Sequence, residues 1–388
     1  MWWLMICAAL AALVAPQEVV DATLNNAPSV ISAEARVEAA KGARHQSTGP
    51  RYNPQVQVGL GVNGGRLEGQ VIQPLSLTGE GMLDRRASGA ELEAAEAALA
   101  RERLEMAAAA RLAYARLALA LSSLRVAEKQ LDGASTLRDT AKVRLDAGEA
   151  PELDVHLAKL EEARVVAIWL EAGNELVAAR SELVALTGLS ADIEVARDPI
   201  EAAMGLAGSV VTATRLDVVA AEADVAAAKA ALGRERAAIL PPVGIGAFYE
   251  LDQGNVAAGP MITAQLPLWK QNQSGIGAAR GDLMTAQAVL VTTQARAQVQ
   301  IASTGERLMA ADRAAALLSE DLTSAAASSL SALQLAYELG ETDLNTTLLL
   351  QARVIEGERG WYAARASLAE TRIRTALAAE DPSLSAAR

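Results

Sequence analysis

Residues 33–41 read AEARVEAAK and residues 221–229 read AEADVAAAK, so seven of nine positions are identical across a shift of 188 residues. Shifts of 188 to 193 residues also relate three further pairs of short motifs: Pro54 with Pro242, Gln73-Pro74-Leu75 with Leu266-Pro267-Leu268, and Gly148-Glu149 with Gly340-Glu341. Chance similarity between alanine-rich helices would not bring the prolines and glycines into step as well. The shift therefore indicates an internal duplication, with a first repeat over residues 16–190, a second over 205–380 and a C-terminal tail over 381–388.

Both repeats contain the same predicted elements in the same order: a short helix, a strand hairpin, a very long helix and a medium helix. In the first repeat these cover about residues 29–46, 54–62 with 68–75, 79–146 and 152–187. In the second they cover about residues 210–238, 243–251 with 262–266, 272–338 and 342–378. Roughly 67 residues without proline at about 1.5 Å each give about 100 Å of helix. A short and a medium helix stacked end to end match that length.

Seven-residue spacing along the long helices predicts a coiled-coil-like seam. The two series are Leu92, Leu99, Met106 and Ala113, and Ile301, Leu308, Ala315 and Leu322. With 51% apolar but only 3% aromatic residues, the chain is rich in alanine, which favours long, closely packed helices. The sequence therefore predicts a mainly α protein of long α-hairpins with a small β part.

The strand segments alternate between apolar and small or polar residues. Val56, Val58, Leu60 and Val62 fall on one face of the first strand, which is close to the length that a tilted strand needs to cross a bilayer. Asn63-Gly64-Gly65 is a hairpin signal. Aromatic residues for membrane-interface girdles are scarce, and the candidates are Tyr52, Phe248, Tyr249 and Trp269.

The apolar run Trp2–Val14 ends at Ala15-Pro16 and is too short to span a membrane as a helix. It fits the core of a signal peptide, which we place at residues 1–15. Lipid attachment at Cys7 is a weaker alternative because bulky Ile6 precedes it. The formal net charge of −12 argues against a nucleic-acid partner.

The sequence contains no recognisable catalytic constellation, and we expect neither an enzyme nor a cofactor. His45 and His156 are the only histidines and lie over a hundred residues apart. A zinc site needs three or four converging ligands, so we expect both histidines to face solvent and predict no metal site.

Several segments resemble one known family, the TolC-like outer-membrane efflux proteins, over nearly all of the mature length. They are Arg215-Leu216-Asp217 before the second Ala-Glu-Ala run, Gln265-Leu266-Pro267-Leu268-Trp269, Gly148 with Asp154, Tyr337-Glu338-Leu339-Gly340, and Leu183–Gly188. The segments around Leu77-Thr78-Gly79 and Trp269–Gly277 are most similar to the heavy-metal, cobalt–zinc–cadmium branch. The chain departs from the family at Pro151, where a small polar residue is usual.

The resemblance implies a homotrimer in the cell outer membrane, with a long periplasmic extension. Three copies of four strands would make a 12-stranded β-barrel, continued by a trimeric helical tube; four strands alone cannot close a barrel. The expected function is a passive exit duct for small solutes, heavy-metal cations among them, in a tripartite efflux system. The expected partners are a periplasmic adaptor, a proton-driven or ATP-driven inner-membrane pump and outer-membrane lipid. Two alternatives stay open: the duct of a type I protein or peptide secretion system, and a periplasmic coiled-coil structural protein.

Two groups of residues are candidate sites. The first is the periplasmic tip or gate, where acidic residues follow the long helices: Gly148, Glu149, Glu152, Asp154, Gly340, Glu341 and Asp343. These carboxylates could constrict the pore, favour cations or dock an adaptor, or they could simply cap helices. The second is the junction between barrel and helices, at Pro74, Pro267 and Trp269.

Overall fold

The fold follows from a computed structural model, in which each of two compact units combines segments from both predicted repeats. The first unit comprises residues 1–30, 103–213 and 299–388, and the second residues 31–102 and 214–298. The structure describes residues 13–61, 66–189, 194–195, 215–265, 267, 269, 271–317 and 321–385. Most of the predicted signal peptide, the Asn63-Gly64-Gly65 turn, Leu266 and Leu268 lie outside these residues.

The described chain is mainly helical. Its α-helices are α1 (Pro16–Asn26), α2 (Pro28–Thr48), α3 (Glu80–Asp146), α4 (Glu152–Thr187), α5 (Leu216–Ala237), α6 (Gln273–Leu317), α7 (Asp321–Glu338) and α8 (Leu344–Ala378), followed by a 3₁₀ turn at Pro382–Leu384. The predicted long helix 79–146 and medium helix 152–187 are confirmed. The predicted helix 272–338 corresponds to α6 and α7, with residues 318–320 outside the description.

Helix α1 is a feature that the sequence analysis missed. Pro16 occupies its first position, where the missing N–H costs nothing because the first helical N–H groups have no intrahelical acceptor. Asn26, at the end of α1, donates from Nδ2 to the carbonyl of Thr187 over 2.7 Å. This bond ties α1 to the end of α4, which Gly188 terminates in the left-handed conformation at φ 67°.

Alanine forms much of the helical core of the first unit. The side chains of Ala107, Ala113 and Ala118 on α3 are almost fully inaccessible to solvent. Ala118 packs with Ala115 and with Ala369 of α8 in one buried cluster. Small side chains let helix backbones approach closely and lose no rotamer freedom when they are buried.

The predicted seven-residue series does not coincide with this buried face. Ala113 is buried, but Leu92, Leu99 and Met106 are only half-buried in the chain, and Ile301 is exposed. The most deeply buried positions of α3 are alanines, and the seven-residue seam stays a prediction.

The second unit contains a four-stranded antiparallel sheet. Its strands are β2 (Gln55–Leu60), β3 (Arg66–Leu75), β5 (Val243–Asp252) and β6 (Asn255–Thr263). The remaining strands, β1 (Leu13–Val14) and β4 (Glu194–Val195), form a separate two-residue parallel pair. The spatial order in the four-stranded sheet is β2-β3-β5-β6, so β2 and β6 are the edge strands. The last strand ends at Thr263, earlier than the predicted residue 266.

The register separates the sheet into an apolar and a polar face. Residues directly opposite one another in an antiparallel pair share a face, and Val56 lies opposite Val71, which lies opposite Ala247, which lies opposite Pro260. The apolar face therefore carries Val56, Val58, Leu60, Leu67, Val71, Ile245, Ala247, Tyr249, Leu251, Val256, Ala258, Pro260 and Ile262. Gly69 and Gln73 also lie on this face. None of the described strand residues on this face is charged.

Candidate functional site

The two helix turns that the sequence singled out have the same backbone geometry. After α3, the N–H of Gly148 donates to Leu145 O (2.9 Å) and the N–H of Glu149 to Arg144 O (2.8 Å). Both glycines of the pair are left-handed, with φ of 77° at Gly148 and 73° at Gly340. The two backbone hydrogen bonds, one from the glycine and one from the residue after it, define a Schellman helix ending. Its left-handed position is one that glycine adopts without steric cost.

The turn after α7 repeats this arrangement 192 residues later. The N–H of Gly340 donates to Tyr337 O (3.1 Å) and the N–H of Glu341 to Ala336 O (2.8 Å). The matching bonds are the structural counterpart of the predicted duplication. They also place Glu149 and Glu341 at equivalent positions, and both are exposed.

The helices that leave the two turns start differently. Asp343 is the N-cap of α8, and it accepts hydrogen bonds from the backbone N–H of Thr346 (2.9 Å) and from its hydroxyl (2.7 Å). These bonds favour the carboxylate and lower the pKa of Asp343. The equivalent N-cap of α4 is Pro151, which has no side-chain oxygen to offer. Asp343 therefore has a helix-capping role that Asp154 does not share.

A shared hydrophobic core joins the two turns within the first unit. It contains Leu137 and Ala141 of α3, Val155 and Ala158 of α4, Tyr337 of α7 and Leu344 of α8. All four helices that meet at the turns contribute, so the structure brings the two groups of predicted tip residues together on one body. The sequence analysis had linked them only by analogy between the repeats.

Arg144 connects the two turns directly. Its Nη1 donates to the carbonyl of Tyr337 over 2.8 Å, and its Cζ lies 4.8 Å from the centre of the Tyr337 ring. Tyr337 is only 1% exposed, and its hydroxyl has no hydrogen-bond partner among the described residues. Burial and the negative charge of Asp154 raise the pKa of Tyr337, and the positive charge of Arg144 offsets part of that rise.

Of the remaining acidic tip residues, Glu152 faces solvent and Asp154 is half-buried. Glu152 is exposed and lies 3.8 Å from His156 Nε2, one helical turn later. His156 and His45 are both exposed. Within the described ranges, no three His, Cys, Asp or Glu side chains are grouped so that they could hold a metal ion. The exposed apolar residues Leu153 and Leu339 lie among these carboxylates.

The second predicted site is the junction between strands and helices, and its three residues have different environments. Pro74 is buried in β3, Pro267 is half-buried, and Trp269 is 85% exposed. An exposed indole at this position is compatible with a membrane-interface anchor.

An ion-pair network that the sequence did not reveal lies at the same junction. Arg51 pairs with Asp84 and, at 3.4 Å, with the buried carboxylate of Glu80. Asn272 Nδ2 donates to the Glu235 carboxylate over 2.7 Å, and this bond lowers the pKa of Glu235. The paired residues are far apart in the chain, so no local motif announces them.

The register corrects one candidate of the predicted aromatic girdle. Phe248 and Tyr249 are successive residues of β5 and therefore point to opposite faces of the sheet. Tyr249 lies on the apolar face, whereas Phe248 lies opposite Gln70 and Gly259 on the polar face. Phe248 therefore cannot belong to a girdle on the apolar side.

In the part of the chain that the structure describes, no helix combines the length and the apolarity that are required to cross a membrane.

Comparison with known proteins identifies a relative by sequence and several solved structures with a similar fold. No family model matches the sequence. The nickel-cobalt-cadmium resistance protein NccC of Alcaligenes xylosoxydans xylosoxydans is 27% identical over 320 residues, covering 75% of this chain and 69% of that protein.

Solved structures share the fold over almost the whole chain. The outer membrane protein VceC of Vibrio cholerae superposes with a TM-score of 0.74 at 19% identity, covering 94% of this chain and 95% of that one. The CmeC outer membrane channel of Campylobacter jejuni gives a TM-score of 0.72 at 15% identity, covering 94% and 85%. The paired helical hairpins and the four-stranded sheet are therefore the fold that this chain shares with outer-membrane proteins such as VceC and CmeC.

Proposed function

We propose that the chain is the outer-membrane channel of a tripartite efflux system and serves as a passive exit duct for small solutes. The observation that carries this proposal is the sheet of the second unit. It has one uncharged apolar face, one polar face and two edge strands, β2 and β6. Such a sheet suits a position between lipid and an aqueous lumen.

Three copies of the chain would remove the exposed edges. Strand β2 of one protomer would pair with β6 of the next, and twelve strands would close into a barrel whose apolar face meets lipid. A closed barrel satisfies every backbone N–H and C=O without water, which is the condition for strands in a bilayer. The exposure of Val58 (69%) and Ile262 (75%) on the apolar face supports this placement.

The helical hairpins would form a tube in the periplasm and meet an adaptor and an inner-membrane pump. The chain contains no nucleotide-binding motif, so the pump must supply the energy, either from protons or from ATP. No catalysis is required of the duct itself. The exposed apolar residues at the turns, Leu153 and Leu339, are suited to contact with a partner protein.

The two turns form the proposed periplasmic tip of the duct. In a trimer, Asp154 and Asp343 would each appear three times around the axis, with Glu149, Glu152 and Glu341 close by. Their shared core and the Arg144–Tyr337 contact would make the two hairpins of one protomer move together. The carboxylates would concentrate cations at the entrance.

Divalent heavy-metal cations are one class of small solute that we propose as cargo. The relative NccC is named for resistance to nickel, cobalt and cadmium. The chain has a formal net charge of −12, and its tip carboxylates would not repel cations. Metal ions would pass as cargo.

Planar-bilayer recording and metal accumulation test the two parts of the proposal separately. Purified protein should form conducting channels and migrate as a trimer that dissociates on heating. Cells that lack the protein should accumulate more Ni²⁺, Co²⁺ and Cd²⁺ than cells that contain it. Absence of channels, with the protein in the soluble periplasmic fraction, would refute the duct. Normal channels with equal metal accumulation would refute only the metal cargo.

A further inference from the structure

The polar face of the sheet carries an aromatic ring that the duct does not need for its construction. Phe248 lies between Gln70 of β3 and Gly259 of β6 in the register. Gln70 is hydrogen-bonded to Gln57 of β2, so the row across the sheet is Gln57, Gln70, Phe248 and Gly259. Among the described strand residues of this face, Phe248 is the only aromatic one. A water-filled pore does not need an aromatic ring among the amide side chains that line it.

The ring packs over the glycine beside it. A Cβ atom added at Gly259 would lie 3.3 Å from Phe248 Cε1, so the ring extends across the backbone of β6. Phe248 keeps 37% of its surface exposed. The ring borders a depression of about 340 Å³, whose other polar walls are Gln57, Gln70, Glu68 and Glu250. A solute on this face can therefore reach the ring.

The next two rows of this face carry a net negative charge. Arg66 Nη2 lies 2.5 Å from the Glu68 carboxylate and 3.0 Å from that of Glu250, and Asp252 lies opposite Arg66 in the register. Three carboxylates against one guanidinium leave a formal charge of −2 on this face of each sheet. Glu250 is two residues from Phe248 on the same strand and therefore on the same face.

We propose that Phe248 is a specificity-determining residue of the duct, which favours weakly hydrated organic cations as they pass the sheet. This inference rests on the proposed function, because only closure of three sheets turns the polar face into a lumen. An aromatic face attracts a cation through its quadrupole, and quaternary ammonium groups respond most strongly because they shed water easily. The adjacent carboxylates raise the local cation concentration. Hydrated divalent metal ions keep their water and respond less to the ring.

A purely structural role gives a different expectation. Aromatic rings stabilise a cross-strand glycine by covering its backbone, and Phe248 covers Gly259. A large aliphatic side chain would also cover the glycine, so Phe248→Leu should leave such a role intact. It would remove the quadrupole. Tyr249 provides a matched control because it is the next residue on β5 and points to the opposite face.

The test measures block of K⁺ current by tetrapropylammonium in planar bilayers containing the full-length trimer. F248L should raise the half-blocking concentration by about threefold to tenfold, while F248Y and Y249L should stay close to wild type. E250Q should also weaken block, because it removes a carboxylate beside the ring. F248M, which keeps a large apolar side chain without a ring, serves if F248L does not assemble.

Three results would overturn the inference. Unchanged block in F248L, or in F248M if that is the variant that assembles, would show that the ring does not act on cations. Equal weakening in F248L and Y249L would assign the effect to the sheet as a whole. A wild-type protein without conductance would refute the duct itself, and this outcome differs from conducting channels that ignore position 248.

Discussion

Arg144 of the first hairpin donates to the carbonyl of Tyr337 in the second over 2.8 Å, with its guanidinium 4.8 Å from the centre of the tyrosine ring. The two residues are 193 positions apart. Each belongs to the last turn of a helix that ends in the same glycine motif. The contact therefore links equivalent places of the two repeats and fixes the hairpins to each other.

Tyr337→Phe should leave stability at neutral pH within about 1 kcal/mol of wild type, because the buried tyrosine hydroxyl has no hydrogen-bond partner among the described residues. Tyr337→Ala should cost roughly 3–5 kcal/mol by opening a cavity in the shared core. Since the folded-state pKa of Tyr337 is raised above 10.0, the unfolded chain loses this proton first. The stability that the neutral phenol of Tyr337 contributes is therefore present below pH 10 and is lost as the pH rises through the raised pKa.

Thermal unfolding of wild type and Y337F across pH 8 to 11 separates this effect from the other groups that titrate. The wild type should lose stability relative to Y337F as the pH rises past about 10. A constant difference between the two proteins across the range would contradict the burial of the phenol.

Replacing Asp154 and Asp343 together with Asn should change cation selectivity and cation block in planar bilayers. Asparagine is about as good an N-cap as aspartate, so the double variant removes charge while it keeps the start of α8. Asp343→Ala is the comparison that removes the cap as well. The D343A variant should be less stable than wild type. Because the pKa of Asp343 is lowered in the folded protein, this difference in stability should be present above pH 3.8 and should vanish as the pH falls through the lowered pKa.

Unaltered selectivity and block in the double variant, with normal trimer assembly, would return both residues to a capping or surface role. Selectivity that changes only in the alanine variant would point to disorder of the turn rather than to its charge.

Adjacent substitutions on β2 test which face of the sheet meets lipid. Val58→Lys should prevent insertion or assembly, because a lysine at the middle of the lipid face costs about 2–4 kcal/mol. Gln57→Lys, one residue away on the polar face, should assemble and alter conductance. Heat-modifiable trimer in outer-membrane fractions is the measurement. Equal tolerance of both lysines would contradict a transmembrane sheet.

Epitope tags test the topology. A tag between Gly254 and Asn255, in the turn that joins β5 to β6, should be reached by antibody on intact cells, as should one at Gly64-Gly65. Tags at Gly148 or Gly340 should be reached only after the outer membrane is permeabilised. Labelling at Gly148 on intact cells would reverse the proposed orientation.

Arg111 should anchor both ends of the described chain. It is 7% exposed and donates to the carbonyls of Leu384 (3.0 Å) and Ser383 (3.2 Å) and to Gln17 Oε1 (3.3 Å), while burial lowers its pKa. Arg111→Ala should cost about 1–3 kcal/mol because it leaves buried carbonyls without donors.

The matched control for Arg111 is Arg116→Ala on the same helix. Arg116 pairs with Glu182 at 2.6 Å on the surface, and such pairs contribute about 0–1 kcal/mol. Thermal unfolding and protease cleavage of the C-terminal segment report the difference. Similar losses in the two variants would show that the buried carbonyls do not depend on Arg111.

Regular patterns made most of the fold predictable from the sequence. The helix 152–187 was predicted to the residue because Pro151 and Gly188 mark its ends, and β3 was predicted within two residues because its side chains alternate. Helix α1 was missed because it directly follows the expected signal peptide. The alanine core was not singled out in the sequence because alanine carries little periodic signal.

The candidate site was predictable only in part. Gly148 and Gly340 announce their turns, since a left-handed residue needs glycine. The Arg144–Tyr337 contact, the Asn272–Glu235 bond and the face of Phe248 depend on register and on the meeting of distant segments. None of these leaves a local trace in the sequence.

The edge strands β2 and β6 also constrain the order of events during folding. Helical hairpins rest on contacts between neighbouring segments and can form early, whereas the sheet joins residues almost two hundred positions apart. Until a second copy arrives, each sheet would present unpaired backbone and an apolar face to water, which invites aggregation. We therefore expect the sheet to complete its folding only when it meets other protomers and lipid. The rate of assembly should then depend on protein concentration.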